Sequence, residues 1–385
     1  MASLKSQFYI DQKVTFLNYG SFGGTPKPIM KNYQDWQLEC EREPVQFMQV
    51  NLHKYLRKSR EALAKYINCN ADDLVYVTNP SYAINIIAKS LKLTLGDQVL
   101  TTDLEYGAID RTWKYYTRKT GAKYFKSKIS LPVKSTEQFI EDLWKGYSHK
   151  TKVVFISHIT SSTGMILPVK EICEMAKAKG LITIVDGAHV PGHIPLNLQE
   201  LKADIYTGAC HKWMMTPKGS SFLYVKKELQ DRFDPLLISW GYESDNPSAS
   251  RFQDYHSWQG TRDMSAFLTI PASIKFMKDH NWKKVSDACK KLVHDNYETF
   301  CDVLGTQPLC PVNKNFLGQM GSAMIKTHDP AGLQRKLFTR YKVDLPVMKH
   351  DDYTFIRFSI QAYNSQKDLD KLFDALKKTR GKEHG

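Results

Sequence analysis

The sequence predicts an α/β fold in which a mainly parallel sheet carries its chemistry at the carboxyl edge, and three stretches point to it. Residues 153–158 and 181–185 are short, mainly apolar stretches, the pattern of strands buried on both faces. The second run passes directly into Asp186-Gly187-Ala188-His189, and a carboxylate at the carboxyl end of a buried strand lies where open α/β sheets bind ligands. The third stretch, residues 206–219, reads Tyr-Thr-Gly-Ala-Cys-His-Lys-Trp-Met-Met-Thr-Pro-Lys-Gly. Small residues, a His-Lys-Trp triplet and a Pro-Lys-Gly turn make a poor helix and a poor strand, which predicts a shaped loop after a short strand. Such a loop can aim Lys212 inward. There an ammonium loses its proton more easily, and the free amine can form an imine with an aldehyde cofactor.

The length of 385 residues predicts two domains, or one large domain with an appendage, around a substantial core. No run of about 18 apolar residues is present, and the opening Met1-Ala2-Ser3-Leu4-Lys5 lacks a signal peptide's apolar centre, so the expectation is a soluble, cytoplasmic protein with no membrane partner. Seven cysteines, scattered without metal-ligand spacing, predict reduced, buried thiols and no metal site. The net charge of +14 (54 Lys and Arg less 40 Asp and Glu) raises the question of nucleic acid. The basic residues are spread along the chain beside acidic ones, and their densest cluster, residues 377–382, falls at an expectedly frayed terminus. Solvated helix faces and a small anionic ligand account for the charge without RNA.

Taken in order, residues 14–24 are a short extended run breaking into a glycine-rich turn, and Pro26 and Pro28 lead into a helix. Gly20, Gly23 and Gly24 fit neither the dinucleotide nor the P-loop spacing. Glu41-Arg42-Glu43-Pro44 ends the helix, because the residue before proline avoids helical geometry. Leu52, Tyr55, Leu56, Leu63 and Tyr66 share one face of a helix over 51–66. A strand at 74–77 feeds Thr78-Asn79-Pro80-Ser81-Tyr82 and a helix running to Lys89. That helix start is an ordinary cap or a phosphate seat, where free amides, the positive end of the dipole and the Ser81 hydroxyl meet an anion. Pro80 has no amide to give, so a cradle rests on Ser81, Tyr82 and their neighbours.

Residues 98–102 form the next strand, ending before Asp103-Leu104-Glu105-Tyr106, and 122–126 an edge strand. Residues 139–143 belong to a helix, 158–164 to a polar loop over the sheet edge, and 220–225 to a strand. A second shaped loop covers 258–263. From Met264 a long helix runs through Ile270, Ile274 and Phe276, and a smaller α/β segment ends in Arg357-Phe358-Ser359 and Tyr363-Asn364-Ser365.

Strand, Asp186-Gly187-Ala188-His189, strand and Gly208-Ala209-Cys210-His211-Lys212-Trp213 together resemble the fold-type I enzymes of pyridoxal phosphate, in their class V aminotransferase branch. Within it the chain is similar to the isopenicillin N epimerase and hercynylcysteine sulfoxide lyase group, over nearly its whole length. The resemblance implies a mostly parallel seven-stranded sheet in a large domain (26–263), an N-terminal arm over the active site (1–25) and a smaller α/β domain (264–385). It implies pyridoxal 5'-phosphate bound through a Lys212 Schiff base, with Asp186 at the ring nitrogen, Tyr106 on the ring face and His189 at the phenolic oxygen. A carboxylate there keeps the ring cationic and a good electron sink. Asn79, Ser81, Tyr82 and His211 are implied around the phosphate, with Thr261 reaching it from the neighbouring subunit of a homodimer. Ala209 departs from the Ser or Asn often found at its place and removes one phosphate contact.

By the same resemblance Asn18 and Tyr19 are substrate contacts, and Arg42 is either an anchor or a charged helix end. Arg357 grips the α-carboxylate with its bidentate fork. Relatives that desulfurate cysteine carry a nucleophilic cysteine shortly before that arginine, and residues 343–354 contain none. A carbon–sulfur lyase or aminotransferase-like activity on an α-amino acid is the expectation, with an epimerase as the alternative. A non-catalytic binding protein on this scaffold is the rival from another class.

Overall fold

The computed structural model describes residues 4–380; Met1 to Ser3 and the Gly381-Lys382 end of the basic cluster lie outside them. Twelve strands form in chain order: β1 Thr15–Phe16, β2 Leu74–Val77, β3 Gln98–Thr102, β4 Lys123–Ser127, β5 Thr151–Ser157, β6 Ile182–Asp186, β7 Ile205–Ala209, β8 Ser221–Val225, β9 Met320–Met324, β10 Val343–Asp344, β11 Val347–His350 and β12 Tyr353–Ser359. Seven of them make one sheet in the order β2-β8-β7-β6-β5-β3-β4. Only β8 runs against its neighbours β2 and β7; the remaining neighbour pairs are parallel.

The sheet is mainly parallel because helices cover both faces, and its strands bury alternate residues in separate cores. On one face Val153, Phe155, Ile184, Ile205 and Leu223 meet Trp113 and the helix Pro80–Ser90. On the other, Val154, Ile156, Val185, Tyr206 and Phe222 join a core that continues to Tyr297, Phe355 and Phe358. In register, Ser157 lies opposite Asp186, Asp186 opposite Thr207, and Ala209 opposite Ser221, so these residues share the carboxyl edge.

A three-stranded antiparallel sheet, β11-β12-β9, stands beside the helices Trp282–Leu304, Pro330–Tyr341 and Gln366–Arg380. The N-terminal segment is stitched to this part of the chain. β1 pairs in parallel with β10, and Ser359 N–H donates to Leu17 O at 2.7 Å.

Three expectations are corrected. Residues 206–209 are not loop but the body of β7, because pairing on both sides and burial of Tyr206 outweigh the weak strand propensity of Thr-Gly-Ala. The long helix from Met264 is three pieces, Ser265–Leu268, Ile270–Asp279 and Trp282–Leu304. Pro271 lies in the first turn of the second, and Asn281 before the third is left-handed (φ 47°). Lys377 to Thr379 are not frayed but belong to the last helix, held by buried Leu372 and Leu376. Among the described residues no helix is long and apolar enough to cross a membrane, and no group of three or more His, Cys, Asp or Glu could hold a metal.

The loops after β6 and β7 are held together by Gly192, at φ +85°, where a Cβ would fall on the backbone of Trp213 and Met214. Neither backbone can retreat, so Gly192→Ala is expected to cost about 3 kcal/mol or more, read as a lowered Tm in a thermal scan. An unchanged Tm would contradict this packing.

Candidate active site

The connection between β7 and β8 is short and tightly closed. Cys210 and His211 N–H both donate to Ser220 O at 3.0 Å, and Met215 N–H donates to Lys212 O at 2.9 Å. The closure turns Lys212 inward to the end of β6, where Nζ stands 3.2 Å from His189 Nε2. Lys212 is half-buried, and loss of water around its ammonium pushes its pKa down to about 8, against the pull of Asp186 and with Arg357 adding to the depression. Its ammonium therefore gives up a proton more readily than an ordinary lysine's.

Asp186 is buried, and its Oδ1 accepts the Ala188 N–H at 2.9 Å. Its other oxygen receives no donor from the described residues. Burial raises its pKa, while the Ala188 amide and Lys212 oppose the rise. His189 is buried behind Lys212 and kept neutral by lost hydration, reinforced by Lys212 and Arg357. Arg357, from β12, is 1% exposed and pairs with no carboxylate among the described residues. It donates to Ser161 O and, at 3.1 Å, to Ser21 Oγ, while its Nε is buried with no partner. Burial lowers its pKa to about 10.

At the end of β2, Asn79 caps the helix Pro80–Ser90 by accepting the Tyr82 N–H at 2.8 Å. That takes the Tyr82 amide and leaves Ser81 as the open donor of the first turn. Tyr82 OH donates to Gln259 Oε1 at 2.8 Å, joining this helix to the 258–263 loop. His211 Nδ1–H donates to Ser220 O at 2.7 Å, which in a neutral imidazole leaves Nε2 as the bare acceptor, and burial lowers its pKa to about 4, so Nε2 meets an anion only on taking a second proton. Tyr106, at the start of the helix Gly107–Thr120, keeps 48% of its surface exposed.

The structure thus brings Lys212, Asp186, His189 and Arg357 together, with Ser81, His211 and Tyr106 on neighbouring strand ends. Other residues named from sequence have different surroundings. Tyr19 is buried against Trp213 and donates to Gly24 O at 2.9 Å, so it walls the site with its hydroxyl already committed. Asn18 donates to Asp344 Oδ1 at 3.2 Å. Arg42 is an exposed helix end paired with Glu39 at 3.1 Å, and Thr261 is exposed.

Sequence reasoning passed over two groups. Glu105 is buried between strand ends, accepting Ser157 N–H at 3.0 Å, Ser157 Oγ–H at 2.5 Å and Thr102 Oγ–H at 2.8 Å. Burial raises its pKa to about 8, against these hydrogen bonds and with Asp186 adding to the rise. His193 is buried, 4.2 Å from Trp213 centroid to centroid. Neither residue carries a local signal of its burial. Beside a near neighbour each, Thr102 and His189, they rest on Ser157, 52 residues from Glu105, and on Gln319, 126 residues from His193.

The family model for aminotransferase class-V matches residues 25–372. Isopenicillin N epimerase of Amycolatopsis lactamdurans is 30% identical, over 98% of this chain and 98% of its own. A probable chloroplastic L-cysteine desulfhydrase of Arabidopsis thaliana is 26% identical over 97% of this chain and 85% of its own. Among solved structures, a cysteine desulfurase from Thermococcus onnurineus superposes with a TM-score of 0.82 at 22% identity, covering 98% of each chain. That last likeness concerns the fold.

Glu105 gives the site a pH signature. Its folded pKa is raised, so its contribution to stability is full below the ordinary carboxylate range and is lost as pH rises toward about 8. The neutral isostere in Glu105→Gln carries no such loss. The Tm of the variant relative to wild type is expected to climb between pH 5 and 9; a difference that stays flat would contradict a buried, protonated Glu105.

Proposed function

The chain belongs to the class-V aminotransferase family, and from that premise we propose that it is a pyridoxal-phosphate enzyme acting on an α-amino acid, as a carbon–sulfur lyase. The observation that carries the reading is Arg357, a buried guanidinium without a carboxylate partner, beside a lysine whose ammonium is destabilised. Two cations withdrawn from water, with one buried aspartate between strand ends, are costly unless an anion enters the site. An α-carboxylate is the anion whose two oxygens fit the Arg357 fork.

The residues present fit the cofactor. Asp186 has one carboxylate oxygen without a protein donor, suited to a protonated ring nitrogen. Ser81 and the helix start suit a phosphate, and His211 would join them through a protonated Nε2, whereas Asn79 and Tyr82 are engaged with one another. His189 suits the phenolic oxygen, Tyr106 the ring face and Lys212 the aldehyde carbon. When bound there, pyridoxal phosphate supplies a cationic π-system that accepts the electron pair left at Cα.

The protein's part is positional. Arg357 holds the carboxylate, Lys212 as free amine takes the Cα proton, and a sulfur substituent at Cβ departs as thiolate. The β11–β12 hairpin turns at Asp351-Asp352 with no thiol, and it is pinned by His350 Nε2–H to Asp103 O at 2.7 Å and by Lys126 to Asp351 at 2.8 Å. Sulfur therefore leaves to solvent rather than to a cysteine of this loop. The L-cysteine desulfhydrases among the relatives favour this outcome.

The epimerase alternative rests on the isopenicillin N epimerase relatives. It requires an acid on the face opposite Lys212.

The same proposal includes a large domain over 26–263, a smaller one over 264–385, the arm 1–25 across the site, Asn18 and Arg42 near the substrate, and a cytoplasmic setting. It also includes a homodimer in which Thr261 serves the site of the second copy. Trp240 is 78% and Ile238 65% exposed, and Trp240 lines a cavity of about 1130 Å³ with Trp258 and Thr261. Apolar exposure on that scale suits a protein neighbour.

Mixing the enzyme with L-amino acids and S-substituted cysteines, while following pyruvate, ammonia and deuterium at Cα, tests the reading. Pyruvate and ammonia in equal amounts are expected from a cysteine derivative; Cα exchange with inversion and no pyruvate would establish the epimerase instead. Arg357→Ala is expected to raise KM for the amino acid about 10- to 100-fold. An unaltered KM would remove Arg357 from the carboxylate.

A further inference from the structure

Behind Lys212 lies a chain of hydrogen bonds in which each donor is fixed by chemistry. Indole N–H only donates, and Trp213 Nε1 lies 3.3 Å from His189 Nδ1. Nδ1 must therefore carry the lone pair, and in a neutral imidazole the proton then sits on Nε2. Nε2 is the atom facing Lys212 Nζ at 3.2 Å. The neighbouring histidine is fixed the opposite way. The Gln319 N–H, 2.5 Å from His193 Nε2, makes that atom the acceptor, so His193 Nδ1–H donates to His189 O at 2.9 Å. Gln319 is itself held by Ser286 Oγ–H at 2.9 Å and by its own donation to Ile360 O at 2.9 Å.

We infer that Trp213 is a positioning residue whose indole N–H locks His189 as the Nε2–H tautomer, a donor aimed at Lys212 Nζ. A donor there is matched by the lone pair of a neutral amine and opposed by an ammonium, which has only protons to offer. The opposite tautomer would accept from the ammonium, but it would set His189 Nδ1–H against the indole N–H. The lock thus favours the free-amine form of Lys212. Other charged or titratable groups facing the lysine are Asp186, which favours the ammonium, and Arg357, which opposes it; His211 is its chain neighbour. His189 is faced in addition by Arg357 and His193, both of which disfavour a second proton on it. The inference rests on the reading above for why a free amine matters, but its geometry is a property of the chain alone.

Two measurements on cofactor-free protein test it. In long-range proton–nitrogen spectra of protein labelled in histidine, His189, assigned by the signals lost in His189→Gln, is expected to show a bare Nδ1 and a protonated Nε2. A protonated Nδ1 would overturn the inference. The second readout is carbamoylation of Lys212 by cyanate, followed by peptide mass. The neutral amine adds its nitrogen to the carbon of isocyanic acid and its proton ends on the cyanate nitrogen, with nothing released. In Trp213→Phe, which keeps a ring beside His193 but no N–H, the pH midpoint of this reaction is expected to rise by about half to one unit. An unshifted midpoint would overturn the inference as well. Neither readout requires pyridoxal phosphate, so failure to bind it counts against the proposed function and failure of these tests against the tautomer lock.

Discussion

Lys212 and Asp186 share a site that limits the hydration of both charges, and the arrangement of the carboxyl edge follows from that pairing. Burial draws the lysine down and the aspartate up, each toward its neutral form, while their mutual attraction resists both shifts. Arg357 tips the balance toward positive charge because its partners are Ser161 O and Ser21 Oγ and no carboxylate among the described residues pairs with it. A site of this kind is poised for an anionic ligand, and its lysine is poised to act as an amine.

The fold supplies this charge arrangement by ending strands beside one another. Asp186 closes β6, Ser157 closes β5 in register with it, and the turn leaving β7 carries Lys212 over both. Since that turn comes straight back into the sheet, β8 has to run antiparallel, the only strand of the seven to do so. Arg357 comes from the second sheet, and the N-terminal segment reaches it through Ser21. Rigidity comes from contacts that admit no side chain, as at Gly192 under Trp213, and from buried polar groups satisfied across the strand ends, as at Glu105.

How much of this could be read from sequence depended on how local the signal was. Strands buried on both faces declared themselves as apolar runs, and the Asp-Gly-Ala-His and His-Lys-Trp segments mark the loops that follow two of them. The family resemblance brought Arg357 into the same site across 145 residues of sequence, and Arg357 lies near enough to Lys212 to depress its pKa. What escaped was set by partners distant in sequence. Tyr206 to Ala209 read as loop because their strand character comes from β6 and β8, not from their own propensity. Glu105 gave no sign that Ser157 would desolvate and hold it. Arg42 carried a suggestive tetrapeptide, yet it sits on an exposed helix end beside Glu39, which its charged neighbours already implied.

The central claim is that Lys212 is the amine that binds the cofactor's aldehyde. Its most direct measurement is to load the purified protein with pyridoxal phosphate, reduce it with borohydride and locate the reduced adduct by peptide mass. The account predicts a visible absorbance that reduction abolishes, with the added mass on the peptide containing Lys212 and on no other. Protein that stays colourless, or an adduct carried by a different lysine, would contradict it.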